Sequence, residues 1–176
     1  SGIEADGVVG PQTWDRLANN AKVADSRSLS AQDYKSAADF LGVDVATIKA
    51  VCKVEASGSG FLADNRPKVL FEGHVFWQQL KFHGVYPTRY ATAENADILY
   101  ERWTKQHYMG GAGEYSRLAR ASRIHLQSAL MSTSWGLFQI MGFNYDKCGY
   151  ESVSAFVADM YESEAKHLMA FCQFVR

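Results

Sequence analysis

Apolar residues in this chain return at helical spacing over most of its length, and strand-like alternation is short and rare. Three windows carry the pattern: Ile98, Leu99 and Trp103 within residues 93–103, the stretch 115–130, and the stretch 153–174. Cap residues mark two more helices. Ser30 with Asp33 three positions on reads as a capping box, opening a helix through Ala37 and Phe40 that Gly42 can close. Asp44 reads as the N-cap of a helix reaching residue 55. The expected fold is mainly α, a helical domain with a cleft and few or no short strands. A hydrophobic share of 47% over 176 residues is ample for one packed core.

One residue breaks the apolar pattern. At about 100° per residue, Val45, Ile48, Val51 and Cys52 share one arc of their helix, and Glu55 falls between Ile48 and Val51. Glu55 is therefore expected to face the interior or a cleft. Desolvation favours the protonated form of a carboxyl, which is how a glutamic acid serves as a general acid near neutral pH. The competing reading is a carboxylate satisfied by a hydrogen bond or an ion pair.

Composition removes several function classes. The formal net charge is −1 with Lys and Arg dispersed, which leaves no footprint for nucleic acid or an anionic membrane surface. No long apolar run suggests a membrane span, and no charged-then-apolar leader precedes the first turn. Cys52, Cys148 and Cys172 are odd in number, far apart and set among apolar residues; they read as buried free thiols, which suits folding in a reducing compartment. His74, His83, His107, His125 and His167 show no i, i+4 pair enclosing a Glu, so a zinc peptidase, and a metal or cofactor of any kind, is not expected. A cysteine peptidase would need Cys52 or Cys148 as nucleophile, yet Cys52 lies on the apolar stripe and reads as packing.

Asp6-Gly7 and Gly10-Pro11 mark turns, with Pro11 placed to open a short helix through Leu17. The string Ala5-Asp6-Gly7-Val8-Val9-Gly10-Pro11-Gln12-Thr13-Trp14 resembles the last segment of the small three-helix peptidoglycan-binding module. Residues 1–19 are then expected to be the remnant of such a module. Residues 20–30 are polar, small and aperiodic, as in a linker, and 31–176 form the main domain.

Two stretches rich in glycine and aromatics, 67–77 and 132–145, lie between the helical windows. Glu55-Ala56-Ser57-Gly58 at a helix end, followed later by Ser134-Trp135-Gly136-Leu137-Phe138-Gln139-Ile140, resembles elements of goose-type lysozymes and soluble lytic transglycosylases. With Leu70-Phe71-Glu72-Gly73-His74, Phe76-Trp77 and Gln139-Ile140-Met141-Gly142-Phe143-Asn144 added, the closer resemblance over 31–176 is to the N-acetylmuramidase domain of bacteriophage endolysins. That resemblance implies a lysozyme-like helical fold. It also implies bacterial peptidoglycan as the partner, cut at the β-1,4 bond between N-acetylmuramic acid and N-acetylglucosamine, with Glu55 as the catalytic acid and no cofactor. Such a protein would be a monomer, made in the host cytoplasm and acting on the wall after release.

Cleaving a glycoside takes a proton donor for the leaving oxygen and a second group that attacks the sugar or orients water. Glu72, in an apolar segment between Phe71 and Gly73, is the candidate for the second role; a structural role, accepting backbone amides or pairing with Arg66 or His74, is the alternative. Ser57 and Ser59 could bond the acid or the leaving sugar, or serve only the helix exit. By the resemblance Gln139 lines the saccharide cleft, while Asn144 and Tyr145 could hold an N-acetyl group. Trp135, Phe138 and Phe143 could offer flat faces to sugar rings, although aromatics at this density are mostly core. Lytic transglycosylation and wall binding without catalysis remain the alternatives to hydrolysis. The final helical pattern runs to Arg176 without a glycine stop, so the domain is expected to continue, and a longer chain to be more stable.

Overall fold

The computed structural model describes residues 27–56 and 58–176. The expected remnant at 1–19 and most of the expected linker lie outside them, as does Ser57. Of the linker, Arg27 is held against the body. Its guanidinium donates to the carbonyls of Asn65 (3.0 Å), Glu162 (3.3 Å) and Tyr161, and lies 4.3 Å over the Phe61 ring.

The cap residues act as their types dictate. Ser30 and Asp33 form a reciprocal capping box on α1 (Ala31–Leu41), and Gly42 closes it in the left-handed region at φ 69°. Asp44 accepts from the Thr47 amide to start α2 (Val45–Glu55). β1 (Val69–Phe71) and α3 (Gly73–Phe82) follow, then α4 (Gly113–Met131), β2 (Thr133–Trp135), β3 (Ile140–Met141), α5 (Val153–Glu162) and α6 (Glu164–Val175). The small sheet runs β1-β2-β3, antiparallel throughout, with Val69 opposite Trp135 and Ser134 opposite Met141. Among the described residues no helix is long and apolar enough to cross a membrane.

Three expected elements differ. Residues 93–103 do not form a helix beyond one 3-10 turn at Ala93–Asn95. The Asp97 carbonyl accepts from Arg117 Nε (3.0 Å) and Nη2 (2.6 Å) instead of from a helical amide. The 153–174 window is two helices, because Ser163 is extended (φ −163°, ψ 161°) and caps α6 with its side chain. The 115–130 window is one helix with a kink at His125, whose φ of −158° and ψ of 104° are not helical.

Two apolar clusters make the core. One joins the sheet to α3, α4 and α5 around Phe71, Phe76, Trp135 and Phe156; the other joins α1, α2 and α6 around Ala37, Ile48, Cys52 and Cys172. Phe138, in the β2–β3 turn, packs against both and stacks on Phe171 of α6 with centroids 4.5 Å apart. All three thiols are free and buried, and burial pushes Cys148 and Cys172 up to about 11 and raises Cys52. They are protonated packing groups at neutral pH, which argues against a cysteine nucleophile.

Candidate active site

Glu55 is the last residue of α2, and the chain leaves the helix at Ala56 in an extended conformation. Contrary to the helical-phase expectation, its side chain is exposed. Ile48 and Cys52 on the same arc are buried, but at the helix end no further turn exists to cover the carboxyl. The segment that follows is anchored from far along the chain. Glu164, at the first position of α6, accepts from the Gly60 amide (2.7 Å), the Ser59 hydroxyl (3.1 Å) and the Leu29 amide (3.3 Å). Ser59 therefore serves the helix exit, one of the two roles open to it.

Behind Gly60 lies the buried His167 ring. Its Nε2 is 2.8 Å from the Met160 carbonyl and its Nδ1 accepts from the Leu137 amide, so the neutral Nε2–H tautomer fits both bonds. A Cβ on Gly60 would lie 2.6 Å from Nδ1, and one on Gly136 would lie 2.9 Å from the ring. Both glycines are required by close approach, and His167 thereby fixes the exit from α2 against the β2–β3 turn. Burial also lowers the His167 pKa from its ordinary 6.5, as burial and nearby His83 do for His125. The unfolded chain takes up these protons first as pH drops. Folding free energy is therefore expected to be undiminished above about pH 6.5 and to decline as pH falls below it, with His167→Gln showing a shallower decline. Denaturant titrations at several pH values check this; identical profiles for both proteins would remove His167 as a source.

The link from Glu55 to Glu72 runs along β1. Gly60 accepts from the Lys68 amide at 2.8 Å, Lys68 enters β1, and Glu72 comes one residue after the strand ends. A strand rises about 3.3 Å per residue, so the backbone between Lys68 and Glu72 spans about 13 Å. Glu72 thus follows the strand whose entry the exit segment of α2 meets at Gly60. Glu72 stands at the N-cap of α3 without capping it. Its side chain, 14% exposed, instead takes the Tyr108 hydroxyl at 2.8 Å from each oxygen, with His74 Nδ1 at 3.4 Å from Oε2. Of the partners expected for it, His74 is adjacent. Arg66 instead pairs with Asp64 and lies 4.0 Å over the Tyr115 ring.

Of the four expected substrate contacts that are described, Trp135 and Gln139 are taken up by other bonds. Trp135 is 1% exposed, and its indole N–H donates to the Leu130 carbonyl at 3.1 Å, so it is a core residue and not a sugar platform. Gln139 is exposed, but its amide hydrogens go to the Gly136 (2.8 Å) and Lys68 (3.2 Å) carbonyls while its oxygen accepts from Ser134, so it locks the turn onto β1. Tyr145 is half-buried against the first apolar cluster. Asn144 is half-buried in the 3-10 turn Gly142–Asn144, its carbonyl bonded to the Cys148 amide. A cavity of about 410 Å³ opens on α2, lined by Lys49, Cys52, Lys53 and Ala56 and by Gly58; Glu55 is not among its lining residues.

Sequence reasoning missed Tyr108, Trp103 and Glu114. Tyr108 and Trp103 belong to the irregular segment before α4, and Trp103 is 63% exposed there. Glu114 is fully buried. Its Oε1 accepts from the Met109 (2.7 Å) and Gly110 (3.0 Å) amides and its Oε2 from the Phe71 amide (3.2 Å), and Arg117 pairs with it at 2.8 Å. It ties the segment carrying Tyr108 to the strand carrying Glu72. An acid and a base three apart on a helix ordinarily form an exposed surface pair, so no sequence signal set this one apart.

A mostly helical domain with a small three-stranded sheet is lysozyme-like in architecture. The chain belongs to the N-acetylmuramidase family, whose model matches residues 44–176 and so takes in both carboxylates. It is similar to the crystal structure of the Burkholderia AP3 phage endolysin, at 44% identity and a TM-score of 0.80, over 99% of this chain and 64% of that one. The chain thus spans a little under two thirds of that endolysin's length. No curated protein matches it.

Proposed function

We propose that this chain is the muramidase part of a phage endolysin and hydrolyses the β-1,4 bond between N-acetylmuramic acid and N-acetylglucosamine in bacterial peptidoglycan. The observation that carries the reading is the pair Glu55 and Glu72 in contrasting settings, the first at the solvent-exposed end of α2 and the second held by Tyr108 just after β1. Glu55 is open to solvent and free to meet the leaving oxygen as general acid. Glu72 accepts from a hydroxyl donor and acts as the charged partner that attacks the sugar or orients water. Glycan lying over Glu55 would remove its water, supplying on binding the desolvation that the free chain lacks. Endolysin family membership supports action on the cell wall, with peptidoglycan as partner.

The test is mass spectrometry of soluble fragments released from purified peptidoglycan. Fragments with reducing muramic ends are expected. Anhydro-muramic ends would replace hydrolysis by lytic transglycosylation, and no fragments at all would leave a wall binder. Exposed Trp103 takes over the platform role once expected of Trp135. Trp103→Ala should raise KM about twofold to tenfold with kcat little changed, the range for one stacked ring. An unchanged KM would place Trp103 away from the glycan.

A further inference from the structure

We infer that Tyr108 is a positioning residue that aims the Glu72 carboxylate for the reaction, brought to it by the segment that Glu114 anchors. The inference rests on Glu72 being the second carboxylate. A glutamate at a helix N-cap would ordinarily turn toward the free amides of the first turn. Glu72 makes no such bond; its two oxygens are equidistant from one phenol hydroxyl, a geometry that fixes the plane of the carboxylate as well as its direction. Burial and the neighbouring Glu72 push the Tyr108 hydroxyl up to about 12, so it keeps its proton and donates. A lone hydrogen shared between two oxygens leaves lone pairs on each for water or sugar.

The groups around this pair explain why the phenol is fixed. His74 Nδ1 is buried, has no hydrogen bond within the protein, and faces Oε2 from α3. The His74 ring stacks on Tyr100 at 6.4 Å, and Tyr100 meets His107 at 5.0 Å, so the imidazole beside the carboxylate belongs to a run of rings that reaches the residue before Tyr108. Tyr108 itself follows directly from that ring set and precedes Met109 and Gly110, whose amides are bound to buried Glu114. The hydroxyl therefore has little freedom to leave Glu72.

Steady-state kinetics of Tyr108→Phe on soluble peptidoglycan fragments, in wild-type and Glu72→Gln backgrounds, tests the inference. The phenyl ring retains the packing, so an unchanged melting temperature is expected. In the wild-type background kcat should drop about tenfold to a hundredfold, the size of a lost hydrogen bond to a charged group, with KM within about twofold. A purely structural tyrosine would instead change the melting temperature and KM along with kcat. In the Glu72→Gln background the same substitution should do nothing further. Unaltered kcat beside an impaired Glu72→Gln would overturn the role of Tyr108 alone; a fully active Glu72→Gln would overturn the assignment of Glu72 itself.

Discussion

Glu55→Gln is expected to lower turnover on peptidoglycan by about a hundredfold to ten-thousandfold, the usual contribution of a general acid, while leaving the fold intact. The reasoning joins two observations. Glu55 is exposed at the end of α2, and no described residue bonds or pairs with its carboxyl, so an isosteric amide should change stability by no more than about 0.5 kcal/mol. Chemically the amide keeps the shape and loses the transferable proton, so the departing sugar oxygen leaves as a poorly stabilised anion. Loss of rate at constant melting temperature is thus diagnostic of chemistry and not of folding. A variant retaining more than about a tenth of wild-type turnover would move the acid to another residue.

Glu114→Ala should have the largest effect on stability. The side chain is fully buried with Arg117, and it also receives three backbone amides from β1 and the 109–110 turn. Removing it strands a buried guanidinium, for which a loss of about 3–5 kcal/mol is typical, against a total stability of about 5–15 kcal/mol for a domain. Arg117 retains the Phe71 and Asp97 carbonyls, which limits but does not cancel the penalty. Because the freed turn carries Tyr108, activity below the melting transition should decline as well. Denaturant unfolding checks the first part, and a shift below about 1 kcal/mol would show that the pair is replaceable.

Much of the scaffold was legible in the chain because local signals and tertiary packing agreed. Ser30, Asp33, Gly42 and Asp44 mark helix ends with side chains or conformations that suit only those positions. Periodicity misled where a distant side chain claimed a backbone carbonyl, as Arg117 does at Asp97, and where a single extended serine split a continuous apolar stripe. In the site, Glu55 was found because a charge interrupts an apolar arc, yet its exposure depends on the helix stopping there. Glu72 was picked for its apolar neighbours and does sit nearly buried. Its partner Tyr108 lies 36 residues away in an irregular segment with no pattern to reveal it. Gln139 was chosen by resemblance and Trp135 for its flat ring, neither of which carries hydrogen bonds, and both bond to their own backbone neighbours.

The bonds from Glu164 to Ser59 and Gly60 join positions 105 and 104 residues apart. On the ribosome, the acid-bearing helix end therefore emerges long before the carboxylate that holds its exit. A nascent chain has α2, β1 and the β2–β3 turn in hand while the Gly58–Gly60 stretch is still without its clasp, and the His167 ring that backs Gly60 and Gly136 arrives three residues later than Glu164. Maturation of the site is thus a late event in synthesis, set by the order in which the chain is made, and a break between Gly60 and Glu164 that let α6 drift away would open the acid's loop without touching either carboxylate.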